Sequence, residues 1–169
     1  MLTVSTADQH DAPAIARVVN AAFQVERDYR RGDRTSAVEV TRLMQGGIFL
    51  VARQNDRVTG AVYVRVTGQT GYFGMLAVEP SFQRFGIGRA LREAAEDYCR
   101  GRGCSVMTLS TGDFRQELLS YYARFGYQIT GTEPAPENSP FTRPMKVVTM
   151  TKSLFAQPPS AEQHKATSS

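Results

Sequence analysis

The chain has 169 residues, and its 41% hydrophobic content is enough to form the core of one domain, which we expect to cover residues 1–155. The net charge of +4 comes mainly from 17 arginines, yet even the densest arginine cluster, residues 26–34, also contains three acidic residues. Because this cluster is mixed in charge and no known nucleic-acid motif appears, we expect no nucleic-acid partner. No uninterrupted apolar stretch is long enough to span a bilayer, so we expect no membrane partner.

The start of the chain and its two cysteines bear on the cellular compartment and on metal binding. No charged leader precedes an apolar run, so we expect a cytoplasmic protein. Cys99 and Cys104 are too few for a disulfide framework and have no histidine nearby in the sequence. We interpret both as packing residues and expect no metal site.

The first part of the chain predicts a strand followed by two helices. Residues 2–7 alternate in polarity as a strand does, and Asp8 or Asp11 can cap a helix whose apolar side chains recur at helical spacing. Ser36 and Glu39 have the spacing of a capping box, which predicts a second, short helix.

The next segment predicts a β-hairpin and a third strand. Residues 48–53 and 58–66 are rich in β-branched and aromatic side chains, and the tripeptide Asn55-Asp56-Arg57 separates them as a turn does. A further turn at 68–71 leads into a strand that we place at 72–78.

A glycine-rich loop joins this strand to a long amphipathic helix. Gly86 and Gly88 lack a Cβ atom, so the backbone can approach a ligand closely, and the first amides of the helix have no intrahelical acceptor. Arg84 and Arg89 add positive charge beside those amides, a combination suited to phosphate oxygens. The alternative is an ordinary strand-to-helix turn, which two glycines alone do not exclude.

Beyond the loop, the pattern predicts a helix, a strand, a second helix and two more strands. The apolar face of the first helix is formed by Ile87, Leu91, Ala94, Ala95 and Tyr98. Its charged face, which we expect to point largely away from the core, is formed by Arg89, Arg92, Glu93, Glu96 and Arg100. The later elements are expected at 105–110, 115–125, 127–132 and 146–154. Residues 156–169 have almost no apolar content, and we expect a disordered tail.

Two motifs resemble those of the GNAT superfamily of acyl-coenzyme A N-acyltransferases. The first, Gln/Arg-x-x-Gly-x-Gly/Ala between a strand and a long helix, is met by Gln83, Gly86 and Gly88. The second, a helix ending of the form aromatic-Tyr-x-x-hydrophobic-Gly-aromatic, is met within residues 118–127. The resemblance implies a single α/β domain over residues 1–155.

The sheet implied by this resemblance is mixed and mostly antiparallel, with six to seven strands and about four flanking helices. It is splayed between two central parallel strands, which would be 72–78 and 105–110. A homodimer is compatible with such a fold, and no feature of the sequence fixes the oligomeric state.

The resemblance also implies acetyl-coenzyme A (acetyl-CoA) as cosubstrate and no metal. A splayed sheet leaves backbone groups unpaired, and the amide-containing pantetheine arm can pair with them as a pseudo-strand. Main-chain contacts to that arm are expected from Leu76, Ala77 and Val78, whose side chains equally suit a place in the core. Contacts to the diphosphate are expected from Gln83, Arg84, Phe85, Gly86, Ile87, Gly88 and Arg89.

By motif position, Tyr122 matches the GNAT tyrosine that protonates the departing sulfur as general acid. The alternative for a tyrosine in an aromatic-rich helix is packing. Tyr121 is a natural control, because consecutive helical residues face different directions.

The catalytic base is the point at which the sequence departs from well-marked GNAT members. Many of those carry a Glu on the strand before the tyrosine helix and an Asn seven residues before the Tyr, whereas this chain has Leu109-Ser110-Thr111 and Arg115. Glu79 and Glu26 are candidate substitutes, with surface carboxylates as the alternative interpretation of both. A water chain to solvent, or an acceptor that is already partly neutral, makes a base unnecessary.

The acceptor amine, a small molecule or a peptide, is expected to enter between the loops 24–36 and 133–144. Four arginines on these loops favour an amine that also bears a carboxylate or phosphate over a bare polycation; they are Arg30, Arg31, Arg34 and Arg143.

The sequence therefore predicts an acetyl-CoA-dependent N-acetyltransferase that acts on a primary amine by direct attack in a ternary complex. The rival hypothesis is a catalytically silent acyl-CoA-binding module that regulates a partner. A third hypothesis is a nucleotide-phosphate binder. The sequence lacks the lysine of a P-loop and the third glycine of a dinucleotide fingerprint, which argues against it.

Overall fold

The computed structural model describes residues 1–155, which form a seven-stranded sheet with helices on both faces. The expected tail, 156–169, lies outside the described residues. The strands are β1 (Leu2–Thr6), β2 (Ile48–Gln54), β3 (Arg57–Thr67), β4 (Thr70–Val78), β5 (Val106–Gly112), β6 (Gln128–Pro134) and β7 (Lys146–Ser153). The α-helices of this part of the chain are α1 (Ala12–Ala22), α2 (Ala37–Leu43), α3 (Ile87–Gly101) and α4 (Gln116–Ala123).

The strand order is β1-β2-β3-β4-β5-β7-β6, and every neighbouring pair except β4–β5 is antiparallel. The mixed, mostly antiparallel sheet predicted from the sequence is thus confirmed. Within residues 1–155, no helix has both the length and the apolar character needed to cross a membrane.

The β2–β3 hairpin turns through two of the three residues that the sequence analysis assigned to the turn. Asn55 and Asp56 have φ angles of 52° and 69°, and two positive φ values in succession are what a type I′ hairpin turn requires. Arg57 already belongs to β3 and pairs with Gln54. Asparagine and aspartate tolerate this left-handed backbone better than other non-glycine residues, which explains why they stand here.

The sheet opens between β4 and β5. These strands pair only through Thr70↔Val106, Gly71↔Met107 and Tyr72↔Thr108. Past that point β4 continues beside β3 as far as Val78, and β5 continues beside β7 as far as Gly112. The two central parallel strands therefore diverge, and the predicted splay is confirmed.

A β-bulge interrupts β4 inside this divergent part. Ala61 pairs with Ala77 and Tyr63 pairs with Gly74, so Met75 and Leu76 together lie opposite one residue of β3. Met75 has a φ of 54°, a left-handed conformation that costs a non-glycine residue roughly 1–3 kcal/mol and is found mostly at functional sites.

Two apolar layers cover the sheet. On one face, α1 and α2 bury Ile15, Val18, Val19, Val40, Phe49, Val51 and Tyr63, among others. On the other face, α3 and α4 bury Phe73, Ile87, Leu91, Met107, Leu119, Tyr122 and Tyr127, among others. The splay between β4 and β5 is therefore flanked by helices on both sides.

The charged side of α3 is a point where the sequence-based expectation is wrong. Arg92 and Glu96, expected to face away from the core, are 2% and 3% exposed. The Glu96 carboxylate lies 3.1 Å from Arg92 Nη1 and 3.1 Å from Lys152 Nζ, and it accepts a 2.7 Å hydrogen bond from the Tyr127 hydroxyl. Burial is tolerated because α3 itself, the residue just before β6 and β7 supply these three partners.

Candidate active site

The glycine-rich loop begins directly after β4 and is shaped by its own side chains. A single 3-10 turn, Pro80–Phe82, follows the strand, and the Gln83 side-chain amide donates a 3.1 Å hydrogen bond to the Val78 carbonyl. Gly86 then adopts a φ of 76°, the left-handed conformation that glycine accepts without a Cβ penalty, and α3 starts at the next residue. Gln83 thus holds the loop to the end of β4.

The first turn of α3 offers free backbone donors at this loop. Ala90 N–H donates to the Gly86 carbonyl over 3.1 Å and is the first amide of the helix with such an acceptor. The amides of Ile87, Gly88 and Arg89 come before it and have no intrahelical acceptor. Because the helix dipole adds partial positive charge at the same end, the turn is suited to an anion.

The side chains around these amides contribute unequally. Arg84 and Phe85 are exposed, Phe85 to 69%, and the Arg89 guanidinium lies 3.4 Å from the Glu93 carboxylate. Ile87 is 1% exposed, so its side chain belongs to the core and only its amide faces the loop. The positive charge available to a ligand comes from Arg84 and Arg89 at the surface.

The segment Leu76–Val78 lies beside the opening of the sheet. On one edge, Val78 and Ala77 pair with Gly60 and Ala61 of β3. On the opposite edge, β4 pairs with β5 only as far as Tyr72. Within the described chain, the β5-facing edge of 76–78 therefore lacks a strand partner, as the pseudo-strand hypothesis requires.

Tyr122 lies on α4 and contacts β4 at Phe73, the first residue beyond the last β4–β5 pair. Its ring is 5% exposed and packs edge-on against Phe73, with centroids 5.7 Å apart, and against Tyr127, with centroids 5.8 Å apart. No hydrogen bond joins its hydroxyl to another group of residues 1–155. Burial raises the pKa of this hydroxyl above its ordinary value, so it stays protonated at neutral pH and can donate.

Tyr121, next in sequence, has different surroundings. Its ring lies 4.9 Å from that of Phe125, with the Arg124 guanidinium 5.7 Å from the Tyr121 centroid. It is only partly buried, so the two tyrosines provide matched positions for substitution.

Glu79, the first candidate base, is held by two arginines. Its carboxylate lies 2.6 Å from Arg57 Nη2 and 3.2 Å from Arg17 Nη1. The hydrogen bond from Arg57 and the charges of both arginines hold the pKa of Glu79 below its ordinary value. A carboxylate with a lowered pKa is a weak base, so this geometry favours a structural role.

Glu26, the second candidate, is not the surface carboxylate of the alternative interpretation. Its side chain is 5% exposed, and its two oxygens are taken by Arg30 at 3.1 Å and by Arg115 at 2.6 Å. Arg115 stands where many GNAT members have asparagine, and here it ties the start of α4 to the loop after α1. The sequence marked position 115 only as a departure and missed this contact.

The two loops expected at the acceptor entrance lie against each other. Arg31 N–H donates to the Pro140 carbonyl over 2.7 Å, and Thr142 N–H donates to the Tyr29 carbonyl over 2.9 Å. The Tyr29 ring stacks on Phe114, with centroids 4.4 Å apart. Phe114 lies outside both loops and also meets the Phe141 ring edge-on, with centroids 5.9 Å apart. Two backbone hydrogen bonds, together with the ring of Phe114 between Tyr29 and Phe141, thus fix the relative position of the loops.

The four arginines expected at the acceptor entrance differ in their surroundings. Arg30 is paired with Glu26 and lies 4.8 Å from the Phe141 ring centroid, and the exposed Arg143 lies 4.6 Å from the Tyr29 centroid. The Arg31 side chain is also exposed. Arg34 is half-buried, and no ion pair or hydrogen bond links it to any other described residue. Arg34 is therefore the member of this set that combines partial burial with the lack of an ion-paired carboxylate.

No cluster of three or more His, Cys, Asp or Glu side chains within residues 1–155 has the arrangement of a metal site. Cys99 and Cys104 are both buried and unbridged, and burial raises the pKa of the Cys99 thiol to about 12. These thiols pack in the core beneath α3, in agreement with their interpretation as packing residues.

Comparison with known proteins bears on this arrangement directly. A sequence model of the Acetyltransferase (GNAT) family matches residues 16–127. An IAA acetyltransferase of Azospirillum brasilense is 33% identical over 85 residues, which cover 49% of this chain and 56% of that protein. The match thus spans little more than half the length of this curated relative.

Solved structures share the fold at lower identity. The ribosomal-protein-S18-alanine N-acetyltransferase of Escherichia coli superposes with a TM-score of 0.73 at 18% identity, over 93% of this chain and 96% of that one. The yncA protein of Salmonella typhimurium, solved with its cofactor acetyl-CoA, gives a TM-score of 0.70 at 21% identity, over 92% and 95% of the two chains. The family match covers well over half of the sequence, and its fold is the one observed: the chain belongs to the GNAT acetyltransferase family.

Proposed function

We propose that the protein transfers the acetyl group of acetyl-CoA to a primary amine by direct attack within a ternary complex. Family membership supports the use of acetyl-CoA, and so does the similar Salmonella structure that holds this molecule. The observation that carries the proposal is the opening of the sheet after Tyr72, which leaves the edge at 76–78 without a strand partner and has the Tyr122 ring packed on Phe73 where it begins.

In this proposal the diphosphate of acetyl-CoA lies on the amides of residues 84–89, with Arg84 and Arg89 supplying charge. The pantetheine arm runs along Leu76, Ala77 and Val78 and pairs with their unpartnered backbone edge. The thioester then reaches the bulge, where the Leu76 amide is released from regular pairing and can polarise the carbonyl oxygen.

The chemical step is attack of the neutral amine nitrogen on the thioester carbonyl carbon. A C–N bond forms, the tetrahedral oxyanion is stabilised at the bulge, and the C–S bond then breaks as the carbonyl re-forms. We assign Tyr122 as the general acid that donates its proton to the departing sulfur, because it stands at the motif position of the GNAT general-acid tyrosine and its hydroxyl has no hydrogen-bond partner among residues 1–155.

The proton lost by the amine goes to solvent in this proposal. Glu79 and Glu26 are both occupied by arginines, so neither is free to accept it. An acceptor that arrives partly neutral needs no protein base.

The reaction is proposed to take place in the cytoplasm, a reducing compartment with which the two unbridged thiols agree.

The test is release of free coenzyme A thiol in the presence of a panel of amines, with Tyr122→Phe compared with Tyr121→Phe. Removal of a general acid typically costs about 10²–10⁴-fold in rate, so Tyr122→Phe should lose kcat on that scale, while Tyr121→Phe stays close to wild type. Acetyl-CoA binding, measured by calorimetry, should be unchanged in both variants.

The pairing of both candidate bases favours one second function, a catalytically silent acyl-CoA-binding module. It predicts heat on titration with acetyl-CoA, no thiol release with any amine, and no effect of Tyr122→Phe. Release that depends on Tyr122 is incompatible with it.

A further inference from the structure

Two polar side chains that lack a hydrogen-bond partner among residues 1–155 lie on the α1–α2 side of the sheet. The first is Tyr72, which packs against the apolar layer of that face and has the Arg65 guanidinium 4.8 Å from its ring centroid. A Cβ built on Gly74 would lie 2.6 Å from the Tyr72 hydroxyl, so the hydroxyl lies over Gly74, the residue that precedes the bulge at Met75. The sequence pattern did not predict a role for Tyr72.

Arg34 is the second side chain. Its guanidinium lies 5.3 Å from the Phe23 ring centroid and within electrostatic range of Tyr72 and Arg30. Burial and the Arg30 cation lower the pKa of Arg34, but a guanidinium remains charged at neutral pH. Half-buried charge of this kind is poorly hydrated and calls for a counter-charge.

Two carboxylates interact electrostatically with Arg34, and both are already engaged by other groups. Glu26 is shared between Arg30 and Arg115, and Glu39 accepts a 2.7 Å hydrogen bond from the Thr35 hydroxyl and lies 3.7 Å from Arg42. The neighbouring Asp33 is exposed and forms no ion pair with Arg34. Arg34 therefore carries one positive charge without an ion-paired carboxylate, within electrostatic range of the Tyr72 hydroxyl. That single charge matches a ligand group with one negative charge.

We propose that Arg34 and the Tyr72 hydroxyl bind the carboxylate of the acceptor and that the acceptor is a free α-amino acid. This inference rests on the proposed acetyl transfer. A guanidinium presents a planar fork that fits a carboxylate with two hydrogen bonds, and the tyrosine hydroxyl adds a third. In an α-amino acid one carbon separates the carboxylate from the amine. A carboxylate held over Gly74 therefore leaves the amine next to the bulge, where the thioester carbonyl is proposed to lie.

The test compares three forms of each acceptor at saturating acetyl-CoA: L-amino acids, their carboxamides and the matching aminophosphonates. The carboxamide keeps the amine and side chain but removes the negative charge, whereas the phosphonate adds charge. Loss of one partner of a buried charge pair costs about 2–5 kcal/mol, so kcat/KM for the preferred amino acid should exceed that for its carboxamide by about 30-fold or more. It should also exceed that for the phosphonate.

Arg34→Gln should remove this preference, lowering kcat/KM for the amino acid by about 30-fold or more, mainly through KM, while the carboxamide changes little. Arg34→Lys should restore part of the loss, because it keeps the charge without the fork. Tyr72→Phe should cost about two- to tenfold, the worth of one hydrogen bond. Arg27→Gln, which removes an exposed arginine from the same loop, should behave as wild type. Thermal melts and acetyl-CoA titrations show whether each variant is folded.

Equal rates with amino acids and carboxamides, or an Arg34→Gln loss shared equally by both, would overturn the inference. A preference for the aminophosphonates would overturn the assignment of a carboxylate and would indicate a phosphonate acceptor instead. Release only with amines that lack an acid group, such as tyramine or spermidine, would overturn the inference and leave acetyl transfer standing. Acetyl-CoA binding without release for any compound would overturn both.

Discussion

The Tyr122 ring meets the Phe73 ring edge-on, with centroids 5.7 Å apart and planes at 65°, and Phe73 is the first residue of β4 beyond its last pair with β5. The aromatic contact thus connects α4 to the point at which the sheet opens. Through it the proposed acid is held against the strand that is proposed to bind the thioester. Its position depends on packing, because its hydroxyl has no hydrogen-bond partner in the described chain.

The left-handed backbone at Gly86 should matter more than the glycine at position 88. Gly86→Ala places a Cβ on a residue with a φ of 76°, at a cost of about 1–2 kcal/mol, or else shifts the loop amides. We expect it to weaken acetyl-CoA binding by about tenfold or more in calorimetry. Gly88→Ala is the matched control, because its Cβ would meet only Val78 Cγ2 at an ordinary 3.6 Å. Equal losses in both variants would contradict this account of the loop.

Glu96 should be essential for stability although it lies on the charged side of α3. Glu96→Gln leaves Arg92 and Lys152 without their common counter-ion, and Arg92 Nε already lacks a partner in the described structure. We expect a loss of about 3–5 kcal/mol in urea unfolding. Glu93→Gln breaks only an exposed pair with Arg89 and should cost about 1 kcal/mol or less. A small effect of Glu96→Gln would show that the buried cations are hydrated.

Gly60 sets how closely α3 approaches the sheet. A Cβ there would lie 2.9 Å from both Ile87 Cγ2 and Leu91 Cδ1, so Gly60→Ala must push the helix away, at about 1–3 kcal/mol. Gly101→Ala, at the end of the same helix, meets no atom within 4 Å and should be neutral or stabilising by up to about 1 kcal/mol. Thermal unfolding of the two variants measures the difference, and a stable Gly60→Ala protein would be the contrary result.

The Glu79→Gln variant tests whether Glu79 is a structural carboxylate or a catalytic base. If the arginine pairs hold Glu79 in a structural role, kcat should fall less than about threefold, against about 10²–10⁴ for loss of a base. Since the folded-state pKa of Glu79 is lowered from 4.5, its stabilising effect is present above pH 4.5 and is lost as the pH falls through the lowered value. The free energies of unfolding of wild type and variant, measured in urea, should therefore converge at acid pH. A difference that grows on acidification would contradict the structural role of Glu79.

Local signals in the sequence were sufficient for much of this fold. The hairpin turn at Asn55 and Asp56 and the loop before α3 depend on residues next to one another, and both stand where the pattern predicted. Element ends were less certain: the strand expected at 127–132 runs from Gln128 to Pro134. That difference arises because β6 continues as long as β7 offers partners.

Contacts between distant residues were beyond the reach of sequence patterns. The sequence pattern predicts that Arg92 and Glu96 face solvent, because the other partners of Glu96 are distant in the chain. Tyr127 lies 31 residues and Lys152 lies 56 residues away from Glu96. In the same way, Arg115 and Glu26 are 89 residues apart, and neither position reveals the other. The positive φ of Met75 follows from the register of β3 and β4, which no single residue specifies.

A crystal structure of the protein with acetyl-CoA bound decides whether the cofactor lies as proposed. We expect the diphosphate on the amides of residues 84–89, the pantetheine arm along 76–78 and the sulfur within hydrogen-bond reach of the Tyr122 hydroxyl, roughly 3–3.5 Å away. A diphosphate bound elsewhere, or a sulfur that points away from Tyr122, would contradict this placement.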